Sequence, residues 1–463
     1  ADMGYTHIEL MPLMAYPYDP SWGYQVTGYY AATARYGEPE DLMYLVDRAH
    51  EMGLGVIMDW VPAHFTRDAH GLRLFDGTPL FEHPDPRRSE MPQWGTLLFN
   101  FEQTQVQSFL LSSAMYWLRE FHFDGLRVDA VSCMLYLDFG KQDGGWLPNR
   151  YGGHDNLDAV AFFRKLNSAV GKLPGGKMLF AEESSAYPYV TRPASEDGLG
   201  FAYKWNMGWM NDVLSYMEMD SIYRKYHHDK LTFSLCYAFS EHYILPFSHD
   251  EVVHGKKSLL SKMPGDYWQQ FAQLRLLFSY QFAHPGKKLM FMGDEFGQYI
   301  EWKFDDSLDW FLLDYPKHAE MQLFVHDLNH FYTETPPMFE CDDSWSGFRW
   351  CGVDDNIHSI LSFIRFDRDG NALLWTFNFT PMPWLDYMIG VPRYGLYTEV
   401  FSSDAPYYGG TGDYPNAPTM SECEPYGEHP CRIRLRLPPF GAVCYALTPK
   451  PLPKPKEIKE GNA

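Results

Sequence analysis

Five acids in this sequence occupy places where an acid is costly. Asp59, Asp129, Glu182, Asp250 and Asp294 each fall at or just after the C-terminal end of a short apolar run: GVIMDW, GLRVDAV, KMLFAEES, ILPFSHD and KLMFMGDE. Burying an ion costs several kcal/mol unless it is paired and hydrogen-bonded. In GLRVDAV, side chains two apart share a face, so Arg127 and Asp129 point the same way, with Gly125 and Val131. For one strand alone, a structural ion pair explains this as well as chemistry does. The recurrence of an acid at Glu182 and Asp250 shifts the balance, because three acids converging on one cavity repel each other. Paired carboxylates flanking a bond are the equipment of glycoside cleavage. One is ionised and acts as nucleophile; the other keeps its proton, its pKa raised toward roughly 6–7. Arg127, one layer below Asp129, is expected to hold Asp129 ionised. A retaining enzyme sets the two carboxyl groups about 5–5.5 Å apart.

The elements that must position these acids alternate along the chain. Besides the five runs above, HIELMPL begins at His7 and GFAYKW at Gly200. Helical spacing lies between them. Pro39 sits at a helix start followed by Leu42, Leu45, Val46 and Ala49 on one stripe, which ends near Gly53. Val106, Phe109, Leu110, Ala114 and Trp117 repeat the pattern, and residues 155–170 do so again. Near-continuous apolar strands alternating with helices predict a parallel sheet covered by helices. A doubly wound sheet gathers its chemistry at one switch point, whereas a (β/α)8 barrel gathers it from many strand ends at one mouth. The acids follow the second pattern. The expected fold is therefore α/β: a (β/α)8 TIM barrel lacking its first strand and helix, since the first run starts almost at residue 1. HIELMPL should pair with GVIMDW alone, and KLMFMGDE should lack an outer neighbour.

After about residue 340 the texture changes to short strands: FRWCG, ILSFIRFD, ALLWTFNFT, LYTEVF and RIRLRLPP, with turns such as DRDGN. The last alternates Ile433, Leu435 and Leu437 against Arg432, Arg434 and Arg436. This predicts a C-terminal antiparallel β-sandwich. The expected domains are the barrel at 1–338, the sandwich at 339–448 and a mobile Pro/Lys-rich tail at 449–463.

Composition narrows the ligand. Over 463 residues, 60 acidic against 38 basic side chains give a net charge of -22. That argues against nucleic acid, whose affinity comes from Lys and Arg on phosphates, and against anionic membrane surfaces. An aromatic share of 17%, with 14 Trp, suits stacking on sugar faces. Seven cysteines without a CxxC pair indicate neither a disulfide framework nor a zinc site, and fit a reducing cytoplasm.

Longer motifs now carry a resemblance. DWVPAH (from Asp59), GLRVDAV, AEES (from Ala181) and SHD (from Ser248) are similar to the four ordered signature regions of the α-amylase superfamily. SWGYQVTGYYA, YKWNMGWMND, YHHDKLTF, SHDEVVHGKKS and FMGDEFGQ resemble bacterial 1,4-α-glucan (glycogen) branching enzymes, from about residue 4 to 447. The resemblance implies Asp129 as nucleophile, Glu182 as general acid/base and Asp250 as the third carboxylate. It implies that Tyr24, Asp59, His64, Arg127 and His249 hold the glucose unit at the cleaved bond. It further implies an α-glucan substrate such as glycogen or amylose, α-1,4 cleavage with formation of α-1,6 branches, no cofactor and a monomer at full length. No metal is expected either, because no acidic cluster outside the catalytic set could supply the about six to eight oxygens of a calcium site. The family also carries an N-terminal β-sandwich ahead of the barrel, so the chain is expected to be amino-terminally truncated. An α-glucan hydrolase, of amylase or trehalose-releasing type, is the nearest alternative. A non-catalytic glucan-binding relative is a second, against which the three intact carboxylates count.

Other motifs carry less. HDEVVH spaces its histidines five apart, not the four of a zinc-binding HExxH helix, and HGKKS lacks the spacing of a phosphate loop. His227 to Asp229 read as a hydrogen-bond cluster rather than a metal site. Trp205 and Trp209 stand at helical spacing, which suits core packing as well as glucan contact.

Overall fold

In the computed structural model, which describes residues 1–452, the chain divides into two compact units. Most of the expected mobile tail therefore lies outside the described residues. The first unit comprises Ala1–Gly208, Ser240–Ile244 and Phe304–Asp306. The second comprises Trp209–Phe239, Leu245–Lys303 and the chain from Ser307 onward.

In the first unit the apolar runs become parallel strands: β1 (His7–Leu10), β2 (Gly55–Trp60), β3 (Gly125–Val128), β4 (Met178–Ala181), β5 (Tyr203–Trp205) and the start of β6 (Tyr243–Pro246). They lie side by side in chain order, and β1 has β2 as its only neighbour among the described residues, as the sequence predicts. The register is what positions the chemistry. Glu9 lies opposite Ile57, Asp59 opposite Arg127, and Arg127 opposite Phe180, so these side chains share one face. Gly125 makes room in that layer: a Cβ there would stand 2.7 Å from the Phe180 ring and 2.8 Å from the Met178 carbonyl oxygen.

Helices α1 (Pro39–Glu51), α2 (Thr104–Glu120), α3 (Val131–Leu135) and α4 (Leu157–Val170) connect the strands. Pro39 opens α1, and Glu38 and Asp41 cap it reciprocally. The buried residues of α1 are Val46 and Ala49, whereas Leu45, counted in the stripe, is exposed. It sits at the edge of the arc that Leu42, Val46 and Ala49 define, so one rotation step takes it to solvent. Helix α2 buries Val106, Leu110, Ala114 and Trp117 as its spacing predicts. Between β2 and α2 a small antiparallel sheet forms from His64–Phe65, Thr96–Leu98 and Glu90–Met91, which fixes the backbone at His64.

In the second unit β6 runs on to Pro246 beside β7 (Lys287–Leu289), and the Phe247 N–H donates to the Leu289 carbonyl at 3.0 Å. No strand lies on the outer side of β7 among the described residues. Helices α5 (Tyr267–Ala283) and α6 (Pro316–Glu334) follow. Then come the antiparallel strands β8 (Phe348–Gly352), β9 (Ile360–Phe366), β10 (Ala372–Asn378), β11 (Trp384–Val391), β12 (Gly395–Ser402), β13 (Thr419–Met420), β14 (Cys431–Leu437) and β15 (Gly441–Pro449). One sheet has the order β8-β9-β10-β15-β12-β13 and the other pairs β11 with β14. Ile433, Leu435 and Leu437 enter the core between them, with Ile364, Leu374, Tyr397 and Val443. On the opposite face Arg432 pairs with Glu422 and Arg434 with Asp386.

Candidate active site

Four of the expected site residues meet around one guanidinium in the first unit. Asp59 lies near the end of β2, Arg127 in β3, Asp129 just past β3 and Glu182 just past β4. Arg127 is 1% exposed. Its Nη1 donates to Asp59 Oδ1 at 2.7 Å, to Asp59 Oδ2 at 2.8 Å and to Asp129 Oδ1 at 2.8 Å. Its Nη2 lies 3.4 Å from Glu182 Oε2. Tyr24 closes the far side, donating its hydroxyl to Asp59 Oδ2 at 2.6 Å. The Trp205 ring, at the end of β5, lies 4.5 Å from the Arg127 guanidinium carbon, a cation–π contact.

Burial opposes the Arg127 charge, but Asp59, Tyr24, Glu182 and Asp129 outweigh it and raise its pKa well above the ordinary value. Arg127 is a permanent cation. For Asp129 the balance falls the other way. Burial pushes its carboxyl well above the usual carboxylate range; Arg127 pulls it down, while Glu182 and Asp59 push it up again. The expectation that Arg127 holds Asp129 ionised is therefore not met: three carboxylates divide one guanidinium, and burial with two like charges outweighs it. Asp129 and Glu182 flank that guanidinium as a pair, and Glu182 is one of the two charges that resist ionisation of Asp129.

The backbone completes the couple. Ala130 takes a left-handed conformation, φ 52° and ψ 44°, unusual for a residue with a Cβ. This turns its N–H toward Glu182 Oε2, to which it donates at 2.6 Å. The Val131 N–H donates to the Glu182 carbonyl at 2.9 Å, and the Asp129 N–H to the Trp60 carbonyl at 3.0 Å.

His64 is buried, and that burial pushes its pKa down to about 4, so the ring is neutral. Its Nε2 stands 3.8 Å from Asp129 Oδ2, too far for a hydrogen bond. The Trp94 ring lies 5.0 Å away, centroid to centroid. A neutral imidazole beside an aromatic plane suits a sugar hydroxyl.

Glu9, on β1, was not among the expected site residues. It faces the same layer, and burial pushes its pKa up to about 8, with Arg127 pulling down and Asp59 pushing up. HIEL places one acid inside a short apolar run, without the stacked opposite charges that mark Arg127 and Asp129. Trp94 and the Ala130 N–H carry no comparable sequence signal.

His249 and Asp250 belong to the second unit. They start the 3-10 turn His249–Val252 beyond β6, which Ser248 and Glu251 cap reciprocally. His249 is buried with Nε2 3.5 Å from Asp250 Oδ1, and the Asp250 side chain is 45% exposed. Asp294 does not stand at a strand end as expected: β7 stops at Leu289, and Asp294 starts a 3-10 turn, accepting the Phe291 N–H at 3.3 Å. Trp205 and Trp209 do not share a helix: Trp205 ends β5, and Trp209 packs within the second unit against Phe247, Tyr280 and His284. His228 is within hydrogen-bond distance of the Val353 carbonyl, 2.9 Å, the hydrogen-bond reading of that motif. Lys256, in HGKKS, donates to the Asp250 carbonyl at 2.7 Å. Among the described residues no group of three or more His, Cys, Asp and Glu is arranged to hold a metal ion.

Comparison with known proteins sets this geometry in a family. A model of the α-amylase catalytic domain matches residues 1–73, and one of the α-amylase C-terminal all-β domain matches residues 350–448. Two solved α-amylases share the fold at 16% identity. That of Geobacillus thermoleovorans, in complex with acarbose, has a TM-score of 0.66 over 97% of this chain and 90% of that one. That of Anoxybacillus has 0.65 over 97% and 88%. The 1,4-alpha-glucan branching enzyme of Halothermothrix orenii is 54% identical over 96% of this chain and 70% of its own length. Those of Nitrosococcus oceani and Nitrosomonas eutropha are 52% and 56% identical over 96% and 89% of this chain. The chain spans only 59% and 56% of the length of these two relatives. With more than half its residues identical to theirs over nearly all of its length, the chain belongs to the family of 1,4-alpha-glucan branching enzymes.

Proposed function

We propose that this chain carries the cleavage and transfer centre of a glycogen branching enzyme. The observation that supports this best is the Asp129–Glu182 couple, two carboxylates on one buried guanidinium, 2.8 Å from Arg127 Nη1 and 3.4 Å from its Nη2 respectively. The ionised Asp129 attacks the anomeric carbon of an α-1,4 bond while Glu182 gives its proton to the departing 4-oxygen. The released chain stays covalently on Asp129. Glu182, now ionised, takes the proton of an acceptor 6-hydroxyl as that oxygen displaces Asp129, which forms an α-1,6 branch. Two displacements at one carbon give net retention.

Tyr24, Asp59, Arg127 and the neutral His64 bind the glucose unit at the cleaved bond, and His249 shares that role. Asp250 is the third carboxylate, steadying the distorted sugar and the charge that develops on it. All seven cysteines are free, which supports a reducing cytoplasm as the site of action. Hydrolysis uses the same first step and differs in whether water or a sugar hydroxyl takes the intermediate. The deciding experiment incubates the full-length protein with amylose and counts new α-1,6 linkages against new reducing ends. We expect linkages in excess. Reducing ends without branches would make the protein a hydrolase, and neither product would overturn the reading.

A further inference from the structure

Behind the reacting carboxylates lies a second polar cluster that the cleavage chemistry does not use. Glu183 follows Glu182 and points to the opposite face, where its side chain is fully buried. Its Oε1 accepts the Ser132 hydroxyl at 2.6 Å and the Ser185 N–H at 2.8 Å. Its Oε2 lies 2.5 Å from Lys204 Nζ, which is itself 7% exposed and donates to the Ser185 carbonyl at 2.9 Å. The Ser132 oxygen in turn accepts the Ser184 N–H at 3.0 Å. Lys204 sits opposite Ala181 in the register, which places it on the Glu183 face rather than the Glu182 face. Three chain segments are thus tied at their mouth-side ends: α3 through Ser132, the end of β4 through Glu183 to Ser185, and β5 through Lys204.

The tie has a specific object. Ser132 stands two residues after Ala130, the left-handed residue whose N–H meets Glu182, and three after Asp129. A residue with a Cβ keeps that conformation only when its surroundings over-determine it. The Val131 N–H, bonded to the Glu182 carbonyl, fixes one side of the turn, and Ser132, bonded to Glu183 and Ser184, fixes the other. We infer that Ser132, Glu183 and Lys204 are positioning residues that lock the Ala130 turn, and through it set both the reach of Asp129 and the hydrogen bond to Glu182. This rests on the functional reading of Asp129 and Glu182 given above.

A buried ion pair with no such task can be replaced by apolar side chains at little cost in stability. A positioning device cannot, and the test exploits that difference. The charged and titratable groups facing Glu182 in this unit are Arg127, Asp129 and Cys133; those facing Glu183 are Lys204, Tyr136, Tyr187 and Tyr243. Ser132→Ala removes the tie and none of these charges. Measured on amylose with the full-length protein, it should lower kcat tenfold to a hundredfold with KM within about twofold, as a displaced catalytic geometry does. Loosening the Ala130 N–H withdraws a hydrogen bond from the ionised form of Glu182. The basic limb of the pH–rate profile should therefore move up, by about half a pH unit.

The double variant Glu183→Met, Lys204→Met should keep a melting temperature near that of the parent yet show the same loss in kcat. Full activity in that variant, or an unchanged kcat and basic limb in Ser132→Ala, would make the cluster a stability element and overturn the inference. If the double variant does not fold, Ser132→Ala decides alone. A parent protein that forms no branches, or an Asp129→Asn variant that remains active, would instead overturn the functional reading.

Discussion

Replacing Glu9 by Gln isolates an electrostatic cost that the fold carries. Glu9 shares the inner layer with Asp59 and Arg127, and burial shifts its pKa from 4.5 to about 8. The folded state therefore binds the Glu9 proton more tightly than the unfolded chain does. As pH rises above about 4.5, the unfolded chain ionises first and stability falls; the fall ends near pH 8, where the folded form ionises too. A shift of about 3.5 units at 1.36 kcal/mol each sets a ceiling of about 5 kcal/mol. The side chain keeps some solvent exposure, so we expect about 2–3 kcal/mol. Gln has nearly the same shape and does not titrate. Urea unfolding followed by tryptophan fluorescence, at pH 5 and at pH 8.5, gives the difference between parent and variant at each pH. Asp129 and the other buried acids titrate in both proteins and cancel. The Gln variant should exceed the parent by no more than about 1 kcal/mol at pH 5 and by about 2 kcal/mol or more at pH 8.5. A constant difference across the range would refute the reasoning. A variant less stable than the parent at pH 8.5 would show that Glu9 is ionised and paired with Arg127.

Three further outcomes concern the couple itself. Asp129→Asn removes the proposed nucleophile and little volume, so turnover should fall by about 10⁴ or more, with melting unchanged or raised as a buried acid is neutralised. Glu182→Gln should slow the first displacement most for poor leaving groups. Its deficit on amylose should therefore exceed its deficit on an α-maltosyl fluoride, and equal deficits would misassign the proton donor. Arg127→Lys keeps the charge but cannot bridge Asp59, Asp129 and Glu182 at once; kcat should fall about a hundredfold or more, and near-parental turnover would show that charge alone suffices.

Much of this arrangement is written in single strands. Alternation predicts that Arg127 and Asp129 share a face and that Glu182 and Glu183 do not, and both statements hold because the Asp129 and Glu182 N–H groups still bond to the neighbouring strand, carrying the ladder one residue past β3 and β4. The failures arise where an element ends. The sequence places Asp294 at a strand end, but β7 stops at Leu289 and the chain turns before Asp294, whose carboxylate closes its own loop. Trp205 and Trp209 are four apart, yet the strand stops at the first and a helix begins at Met207, so the spacing joins two unrelated environments. Strands β11, β13 and β15 are absent from the runs read in sequence: a register shift between Trp384 and Tyr387 breaks the alternation of β11, β13 spans two residues, and β15, paired on both sides and mostly buried, has no polar face to alternate with.

Glu9 is the instructive case. It lies within its strand rather than at the end, so a search for acids at strand ends passes over it. Nothing in HIEL says whether that face meets solvent, an apolar layer or a cation. The answer comes from register: Glu9 opposite Ile57, and two residues further along, Asp59 opposite Arg127. One slipped residue would turn Glu9 outward and leave it an ordinary surface acid. The charge balance of the site, four acids around one arginine, is therefore a property of how strands are aligned. It decides how far Arg127 can offset the burial of Asp129, the group to which the proposed first step falls.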